Sequence, residues 1–417
     1  MVSSFGRIVE ALVRDRPPVP VMHVITGLGA GGAETFLLRL GRAQAEAGRA
    51  PVVVSLTDEG VLGREMRAAG LTVETLGMRR GRPSAGGLLR MARAIRRHRP
   101  AVVQTWLHHA DVAATLGLLL SGRRSDTRLV WGIRCSDMSG GNGHSLAVRL
   151  GRILSAEADH LVANSAAGLD LHLRLGYRPP ATSVIPNGID VRPFRAAAAE
   201  REAVRRELGI AADTLVAVLP ARLHPRKDHW TFAAALAQAP GIVGLAIGEG
   251  TERLPDRPNM IRLGYRPDVP RLLAASDIVV STSAYGEGFS NAVAEGMAAW
   301  LPAVATDVGD ARAILAETGF VVPPRDPGAV ANAMRTLAAR PWLRERMGAA
   351  AAARIAEHFT FERCVTRFRS LYDEVGAYVT PHEVGQCRTV AGSTAGVRVA
   401  ARSPAEAPTM ERAGSSV

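Results

Sequence analysis

The sequence is poor in lysine, cysteine and aromatic residues, and it has no long apolar run. Its 417 residues include 51 Lys and Arg, of which 50 are arginine and one, Lys227, is lysine. Three cysteines, Cys135, Cys364 and Cys387, are too few and too widely spaced for a disulfide framework and indicate a reducing compartment. No apolar segment reaches the roughly 18–20 residues that span a bilayer, and the N-terminus lacks a signal-peptide core. We therefore expect a cytoplasmic protein.

The charge balance is basic, with 51 Lys and Arg against 39 Asp and Glu and a net charge of +12. Such an excess of positive charge can bind nucleic acid, an anionic membrane or anionic substrates. Aromatic residues make up only 5 % and are not interleaved with the arginines, which argues against a nucleic-acid partner. Between Arg79 and Arg99 the chain carries eight arginines and no acid. This segment predicts either a helix that lies on anionic lipid at the inner face of a membrane, or a solvated helix face in an arginine-rich protein.

Short apolar segments alternate with helical patterns along two stretches of the chain. In the first stretch the strand-like segments are 19–26, 51–57, 71–76, 101–106, 128–134, 160–165 and 182–186. In the second stretch they are 215–219, 242–247, 260–263, 277–282, 302–306 and 320–322. Because helices separate continuously apolar strands, each stretch predicts a parallel sheet covered on both faces. The expected fold class is α/β, with two doubly wound Rossmann-like domains that face each other across a ligand-binding cleft.

The turn-rich segment 186–190 marks the boundary between the two stretches. We predict an N-terminal domain over 1–190, a C-terminal domain over 195–360 and a closing helix over 361–378. After residue 380 the apolar pattern stops, and small residues, arginine and proline dominate. The segment 380–417 is therefore predicted to be a disordered tail.

A glycine-rich loop, 27–32, follows the first predicted strand and opens a helix. It satisfies the pattern G-x-G-x-x-G, but the nearest acids after the second strand, Asp58 and Glu59, lie too far along for a convincing dinucleotide site. Glycines at a helix N-terminus still allow an anion to approach backbone N–H groups closely. A tight turn without a ligand remains the other interpretation.

Two basic residues, Arg222 and Lys227, lie between the first strand of the second domain and its helix. A forked guanidinium and a compact ammonium together suit a pyrophosphate. The segment 283–295 is a stronger signal, because Gly286 and Gly288 flank Glu287 and a helix begins near Ser290. A helix start of this kind offers N–H donors to an anion.

The second carboxylate of this segment, Glu295, comes eight residues after Glu287. This E-x7-E spacing resembles that of the retaining glycosyltransferases with the two-domain GT-B fold, and in particular glycosyltransferase family 4. The resemblance covers about 20–378 and includes the Gly-Gly-Ala-Glu loop at 31–34, the segment 184–190, the Arg222 and Lys227 pair, and Gly309-Asp310. Together and in this order, these motifs are specific for the family and poorly specific for a substrate.

The resemblance implies a role for each matching position. Arg222 and Lys227 would hold the nucleotide diphosphate, Glu287 would bind hydroxyls of the donor sugar, and Glu295 would bind the ribose. The remaining implied donor contacts are Gly31 and Gly32 from the first domain and Gly288, Phe289, Ser290 and Asn291 from the second. Arg266, in Gly264-Tyr265-Arg266, lies where the family contacts the base. The last helix would cross back onto the first domain.

A histidine of the first domain would lie beside the donor sugar in this family. Two adjacent candidates, His108 and His109, follow the strand 101–106, and His109 is our choice as the catalytic residue. Either could instead be a capping or surface histidine. Arg134 ends the next strand, where the segment 131–134 either shapes the acceptor pocket or packs in the core.

The resemblance implies transfer of a sugar from a nucleotide diphosphate sugar to a glycan, lipid-linked or small-molecule acceptor, with retention at the anomeric carbon. Such a reaction belongs to cell-surface polysaccharide or glycolipid biosynthesis. No Asp-x-Asp motif occurs in the chain, so we expect no metal and no other cofactor, with Arg222 and Lys227 supplying the positive charge. The alternatives are a sugar-nucleotide epimerase or phosphorylase on the same fold, or a non-catalytic module that binds nucleotide sugars.

Overall fold

The computed structural model describes residues 19–29, 31–79, 84–134 and 146–377. The predicted disordered tail at 380–417, the first 18 residues, Cys135, Cys387 and the arginines at 80 and 82 lie outside the described residues. The two predicted sheets are both present, and every pairing between neighbouring strands in them is parallel. The prediction of two doubly wound α/β domains is therefore confirmed.

The N-terminal sheet has seven strands in the order β3-β2-β1-β4-β5-β6-β7. These are β1 (Val21–Ile25), β2 (Val52–Ser55), β3 (Thr72–Thr75), β4 (Val102–Trp106), β5 (Arg128–Ile133), β6 (His160–Ala163) and β7 (Thr182–Val184). Its helices are α1 (Gly32–Glu46), α2 (Gly60–Ala68), α3 (Ala85–His98), α4 (His108–Ser121), α5 (Leu146–Leu154) and α6 (Ala166–Arg174). The order of the strands reverses between β1 and β4, which is where open α/β sheets bind ligands.

The C-terminal sheet has six strands in the order β10-β9-β8-β11-β12-β13. These are β8 (Leu215–Pro220), β9 (Ile242–Ile247), β10 (Met260–Gly264), β11 (Ile278–Ser281), β12 (Ala303–Thr306) and β13 (Gly319–Val322). The helices are α7 (Arg192–Ala197), α8 (Arg201–Glu207), α9 (His229–Ala237), α10 (Val269–Ala274), α11 (Asn291–Ala298), α12 (Ala311–Leu315), α13 (Pro327–Ala339), α14 (Pro341–His358) and α15 (Phe361–Gly376). The sequence pattern did not predict α2, α7 and α8.

Each sheet has a hydrophobic core on both of its faces. In the N-terminal domain, side chains of α1, α2 and α15 cover one face, and side chains of α3 and α4 cover the other. In the C-terminal domain, α11, α12 and α14 contribute to one core, and α9 and α13 contribute to the other. The continuously apolar strands follow directly from this two-sided burial.

The last helix, α15, packs on the N-terminal domain. Phe368, Leu371 and Tyr372 belong to the same buried cluster as side chains of α1, and Arg49 pairs with Asp373 at 3.0 Å. The chain between the domains is tied to the start of this helix, because the backbone of Ile189 exchanges hydrogen bonds with the segment 359–361. Across the described ranges, we find no helix that is both long and apolar enough to cross a membrane.

Candidate active site

The loops that follow the carboxyl ends of the strands in the two domains meet each other. The carboxylate of Asp310, in the turn after β12, accepts hydrogen bonds from the backbone N–H groups of Ala166 and Ala167 at 2.8 and 2.9 Å. These two residues begin α6 of the N-terminal domain, so a C-terminal-domain carboxylate lies at a helix N-terminus of the other domain. A Cβ atom on Gly288 would be only 2.9 Å from Ser165 Oγ. The loop between β11 and α11 therefore packs directly against the N-terminal domain.

At the centre of this region, Lys227 and Glu287 form an ion pair. The Lys227 ammonium lies 2.8 and 2.7 Å from the two carboxylate oxygens of Glu287, and Ser283 Oγ donates to Glu287 Oε2 at 3.0 Å. The side chains of Lys227 and Glu287 are 19 % and 11 % exposed. The structure thus brings together two residues that are 60 positions apart and that the sequence motifs assigned to the same donor.

The backbone around the ion pair is held in place by hydrogen bonds. Thr282 Oγ1 donates to the carbonyl oxygens of Lys227 and Asp228 at 3.1 and 2.9 Å. The turn behind Glu287 requires glycine, because Gly309 has φ of 63° and a Cβ atom there would lie 2.2 Å from the Glu287 carbonyl oxygen. The fold therefore positions the lysine, the glutamate and the glycine turn through contacts within the protein.

Helix α11 begins with groups that suit an anion. Phe289 points into the core, with its ring 5.5 Å from that of Phe359, so only its backbone faces the loop. Ser290, the residue before the helix, is buried, and within the described part of the chain its Oγ has no hydrogen-bond partner. Asn291 starts the helix, whose first N–H groups lack acceptors within the helix itself. A buried hydroxyl beside these N–H groups could hydrogen-bond a polar ligand placed at the start of the helix.

Glu295 lies one turn into α11 and is half-buried. Burial raises the pKa of this carboxyl to about 7, while the positive charge of Arg39 from α1 acts in the opposite direction. Arg39 is exposed on the N-terminal domain. Glu295 therefore sits where the two domains share an electrostatic environment, and near neutral pH both protonation states are accessible.

The glycine-rich loop opens onto a cavity of about 590 Å³ at the ends of β1, β2 and β3. Its lining includes Gly31, Glu34, Asp58 and Arg79. The Glu34 carboxylate folds over Gly31, where a Cβ atom would lie only 2.2 Å from Oε2. Gly32 begins α1 and a Cβ atom on it would meet nothing within 4 Å, so its surroundings are open. The loop thus forms part of a cavity wall rather than a turn packed on all sides.

The two candidate histidines have different environments at the start of α4. Leu107 precedes them with φ of 75° and ψ of 152°, an unusual backbone conformation for leucine and one found at active sites. His108 is half-buried, with Nδ1 3.7 Å from Asp111 Oδ2 and its ring stacked on that of His172 at 5.2 Å. His109 is exposed. His108 is thus the more buried of the two, and the choice of His109 stays a prediction.

Asp111, the partner of His108, is completely buried. Burial raises the pKa of its carboxyl, and the hydrogen bonds from His108 and Thr105 act against that increase. A buried carboxylate beneath a histidine fixes the orientation of the imidazole ring. This arrangement favours a defined position for the His108 side chain.

The remaining predicted cations are placed less centrally. Arg222 is exposed just after β8, on the same loop as Lys227. Arg266 binds Asp268 at 2.7 and 2.6 Å and Glu207 at 3.1 Å, and its hydrogen bonds to these carboxylates raise the pKa of its guanidinium. Its neighbour Tyr265 is 75 % exposed. The Arg266 side chain thus binds carboxylates of its own domain, and its contact with the nucleotide base also stays a prediction.

Three polar residues, Asp310, Asn187 and Arg134, contact the candidate site, although no sequence motif assigned them to it individually. Asp310 and Asn187 lie within motifs that the sequence singled out, and Asn187 Nδ2 donates to Asn291 Oδ1 at 2.9 Å. Arg134 was considered only for the acceptor pocket or the core, and its Nη1 donates to Asn187 Oδ1. Trp131 is fully buried in the core. These contacts join segments far apart in sequence, and no local pattern encodes them.

Comparison with known proteins finds two family models that match different parts of the chain. The family model described as Glycosyltransferase Family 4 matches residues 30–192, and the one described as Glycosyl transferases group 1 matches residues 214–340. The crystal structure of Anabaena HepE in complex with UDP is similar with a TM-score of 0.75, at 21 % identity, over 85 % of this chain and 100 % of that chain. This likeness supports the GT-B fold.

Curated relatives match over part of their length. A D-inositol 3-phosphate glycosyltransferase of Geodermatophilus obscurus is 34 % identical over 245 residues, which cover 52 % of this chain and 53 % of the relative. The UDP-Gal:alpha-D-GlcNAc-diphosphoundecaprenol alpha-1,3-galactosyltransferase of Escherichia coli is 27 % identical over 175 residues, or 37 % of this chain and 45 % of the relative. The chain thus spans about half the length of the curated relatives it matches. With a family model on each domain and a two-domain fold shared with a solved structure, the chain has the GT-B fold and resembles the glycosyltransferases of family 4.

Proposed function

We propose that the protein transfers a sugar from a nucleotide diphosphate sugar to a hydroxyl-bearing acceptor, with retention of the anomeric configuration. The observation that carries this proposal is the Lys227–Glu287 ion pair beside the start of α11, at 2.7–2.8 Å. It combines a cation for phosphate, a carboxylate for sugar hydroxyls and, at Ser290, a buried hydroxyl without a partner in the described structure. A nucleotide diphosphate sugar needs these three kinds of group in one place.

In the proposed mechanism, negative charge develops on the diphosphate as the glycosidic bond breaks. Lys227, Arg222 and the N–H groups at the start of α11 stabilise this charge, which is the main contribution that the protein makes to catalysis. Glu287 orients the donor sugar through its hydroxyls, and Glu295 binds the ribose. The acceptor attacks from the face that the diphosphate leaves, and a phosphate oxygen takes the acceptor proton. A histidine at the start of α4 lies beside the donor sugar.

We propose that this chemistry requires no metal ion. Lys227 and Arg222, which lie on one loop at the end of β8, neutralise the negative charge of the diphosphate in place of a divalent cation. Donor turnover is expected to persist in excess chelator. Loss of turnover that returns on addition of Mg²⁺ or Mn²⁺ would overturn this part of the proposal.

For the acceptor, we propose the cavity of about 590 Å³ at the glycine-rich loop. Its carboxylates, Glu34 and Asp58, accept hydrogen bonds from hydroxyls, and Arg79 adds one positive charge. The cavity suits a glycan or small polyol. The names of these relatives refer to a phosphorylated inositol and to a lipid-linked sugar, so both classes of acceptor belong in an acceptor screen.

For a lipid-linked acceptor, we propose that the protein contacts an anionic membrane. This proposal places the protein in the cytoplasm, at the inner face of the membrane. Adjacent helices α3, α4 and α5 carry exposed apolar side chains at Leu89, Leu119, Leu120, Leu146 and Ile153. Parts of the arginine run are bonded within the fold, since Arg96 donates to the carbonyl of Ser121 and Arg97 to Glu74. Arg93 on α3 is exposed. Vesicles with anionic lipid should sediment the protein at low salt, and failure to do so would refute the membrane contact.

The proposed function is tested with a panel of UDP, GDP and ADP sugars. A donor that binds raises the melting temperature by mass action, and the same donor is then tested for turnover with Lys227→Ala and Glu287→Ala. Both variants should lose turnover, and unimpaired turnover in both would contradict the proposal. Proton NMR of the fresh product reports the anomeric configuration, and an inverted product would contradict retention.

A further inference from the structure

The guanidinium of Arg134, just after β5, lies among aromatic rings. Its Cζ is 4.0 Å from the ring centroid of Phe36, 4.6 Å from that of Trp106 and 5.8 Å from that of Phe368. Within the described ranges, none of the carboxylates forms an ion pair with it. Burial lowers the pKa of Arg134 to about 10. An unpaired cation in such a place is costly, so aromatic packing alone does not explain an arginine here.

The hydrogen bonds of Arg134 lead out of the N-terminal domain. Its Nη1 donates to Asn187 Oδ1, in the segment that joins the two domains. Because that oxygen faces Arg134, the amide nitrogen of Asn187 faces the other way, and it donates to Asn291 Oδ1 at 2.9 Å. Asn291 is the first residue of α11. A continuous chain of two hydrogen bonds therefore runs from β5 to the helix that carries Glu295.

The backbone next to Asn187 is also held firmly. A Cβ atom on Gly188 would lie 2.5 Å from the Cα of Phe361 and 2.7 Å from the Cβ of Cys364. The joining segment is thus pressed against α15, and Asn187 projects from a fixed point. Only an arginine can stack its planar head on the rings and at the same time donate to the amide, since a lysine ammonium has no plane.

We propose that Arg134 is a positioning residue for the donor site, which acts through Asn187 to fix the first turn of α11. This inference rests on the proposed function, because the groups it positions are the buried hydroxyl of Ser290 and the N–H groups assigned to the diphosphate. In this role Arg134 touches no substrate. It couples the end of an N-terminal strand to the geometry of donor binding in the other domain.

The test compares the donor KM, kcat and melting temperature of Arg134→Lys, Arg134→Met and Asn187→Ala. Each variant should raise the donor KM about tenfold, as expected for one lost hydrogen bond to a charged group, with a smaller change in the KM of the acceptor. The double variant Arg134→Met with Asn187→Ala should be no worse than the worse single variant, because both act along one chain of contacts. Arg128→Met, at the other end of β5, is the matched control and should leave the donor KM unchanged.

A purely structural role would give a different result. Arg134→Met would then lower the melting temperature while the donor KM stayed at the wild-type value, and the inference would be overturned. If Arg134→Met does not fold, Arg134→Lys and Asn187→Ala decide by the same comparison. Failure of the proposed function is distinguishable, since the wild type itself would then neither bind nor turn over any UDP, GDP or ADP sugar of the panel.

Discussion

Lys227 offers the sharpest test of the site, because it is the single lysine in a chain with 50 arginines. Its ammonium is in contact with both oxygens of Glu287 at 2.8 and 2.7 Å and is 19 % exposed. Lys227→Arg keeps the charge but puts a planar fork in place of a compact ammonium. The neighbouring change, Arg226→Lys, is equally neutral in charge. The Arg226 guanidinium lies 3.5 Å from the carbonyl oxygen of Gly286.

The size of the effect follows from what the ammonium does. One hydrogen bond to a charged group is worth about 1.5–3 kcal/mol, which is about 10–100-fold in rate at 1.36 kcal/mol per tenfold. We therefore expect Lys227→Arg to lower kcat/KM for the donor by about 10–100-fold. Arg226→Lys should stay within about threefold of the wild type, because it keeps the positive charge and leaves the Lys227–Glu287 ion pair in place.

The assay measures donor turnover under conditions in which each variant is folded. A larger side chain in a filled site costs about 1–3 kcal/mol of stability, so the melting temperature of Lys227→Arg is measured first and the assay is run well below it. Lys227→Met completes the set, since it leaves the Glu287 carboxylate, which is 11 % exposed, without its cation. If Lys227→Arg retained full turnover, or if Arg226→Lys were equally damaging, the reasoning about the ammonium would be refuted.

Three further predictions concern the contact between the domains and the pH dependence of the site. Gly288→Ala places a methyl group 2.9 Å from Ser165 Oγ, which is held by its own helix cap, so donor turnover should fall about 10–100-fold with little change in melting temperature. Asp310→Asn removes the charge from the contact with α6, and faster hydrogen exchange at the start of that helix should report the loss. The pKa of Glu295 is raised to about 7 from 4.5, so ionisation destabilises the fold as pH rises through this window. Glu295→Gln should therefore stabilise the protein by about 3 kcal/mol at pH 8 and lose this advantage below pH 4.5, as urea unfolding at several pH values would show.

The fold was largely predictable from the sequence, because parallel strands buried on both faces are continuously apolar. Strands such as Ile242–Ile247 were predicted at their observed bounds. The helix Gly60–Ala68 was missed, since it is short and begins at a glycine with φ of 54°. Local patterns of this length carry little periodic signal, and tertiary packing decides the outcome.

For the candidate site, the sequence indicated the chemistry but not the contacts. Lys227 and Glu287 came from separate motifs, and only the fold brings them into contact. Arg134 could not be assigned from its position at a strand end, because its neighbours come from α1, β4 and α15. The choice between His108 and His109 depends on which side of one helical turn faces the cleft, and adjacent identical residues give no pattern to decide it.

The contacts between the domains and the proposed donor site share the same residues. Asp310, which binds the start of α6, donates its backbone N–H to the Gly288 carbonyl at 3.2 Å, and Asn187 binds the first residue of α11. A change in the geometry of the loop around Gly288 therefore changes the contact between the domains, and the reverse holds by linkage. A nucleotide that binds this loop should protect the start of α6 from hydrogen exchange. Asp310→Asn should reduce the free energy of this protection and the free energy of nucleotide binding by the same amount. Equal coupling in the two directions is the thermodynamic signature expected of a donor site whose geometry is completed by the other domain.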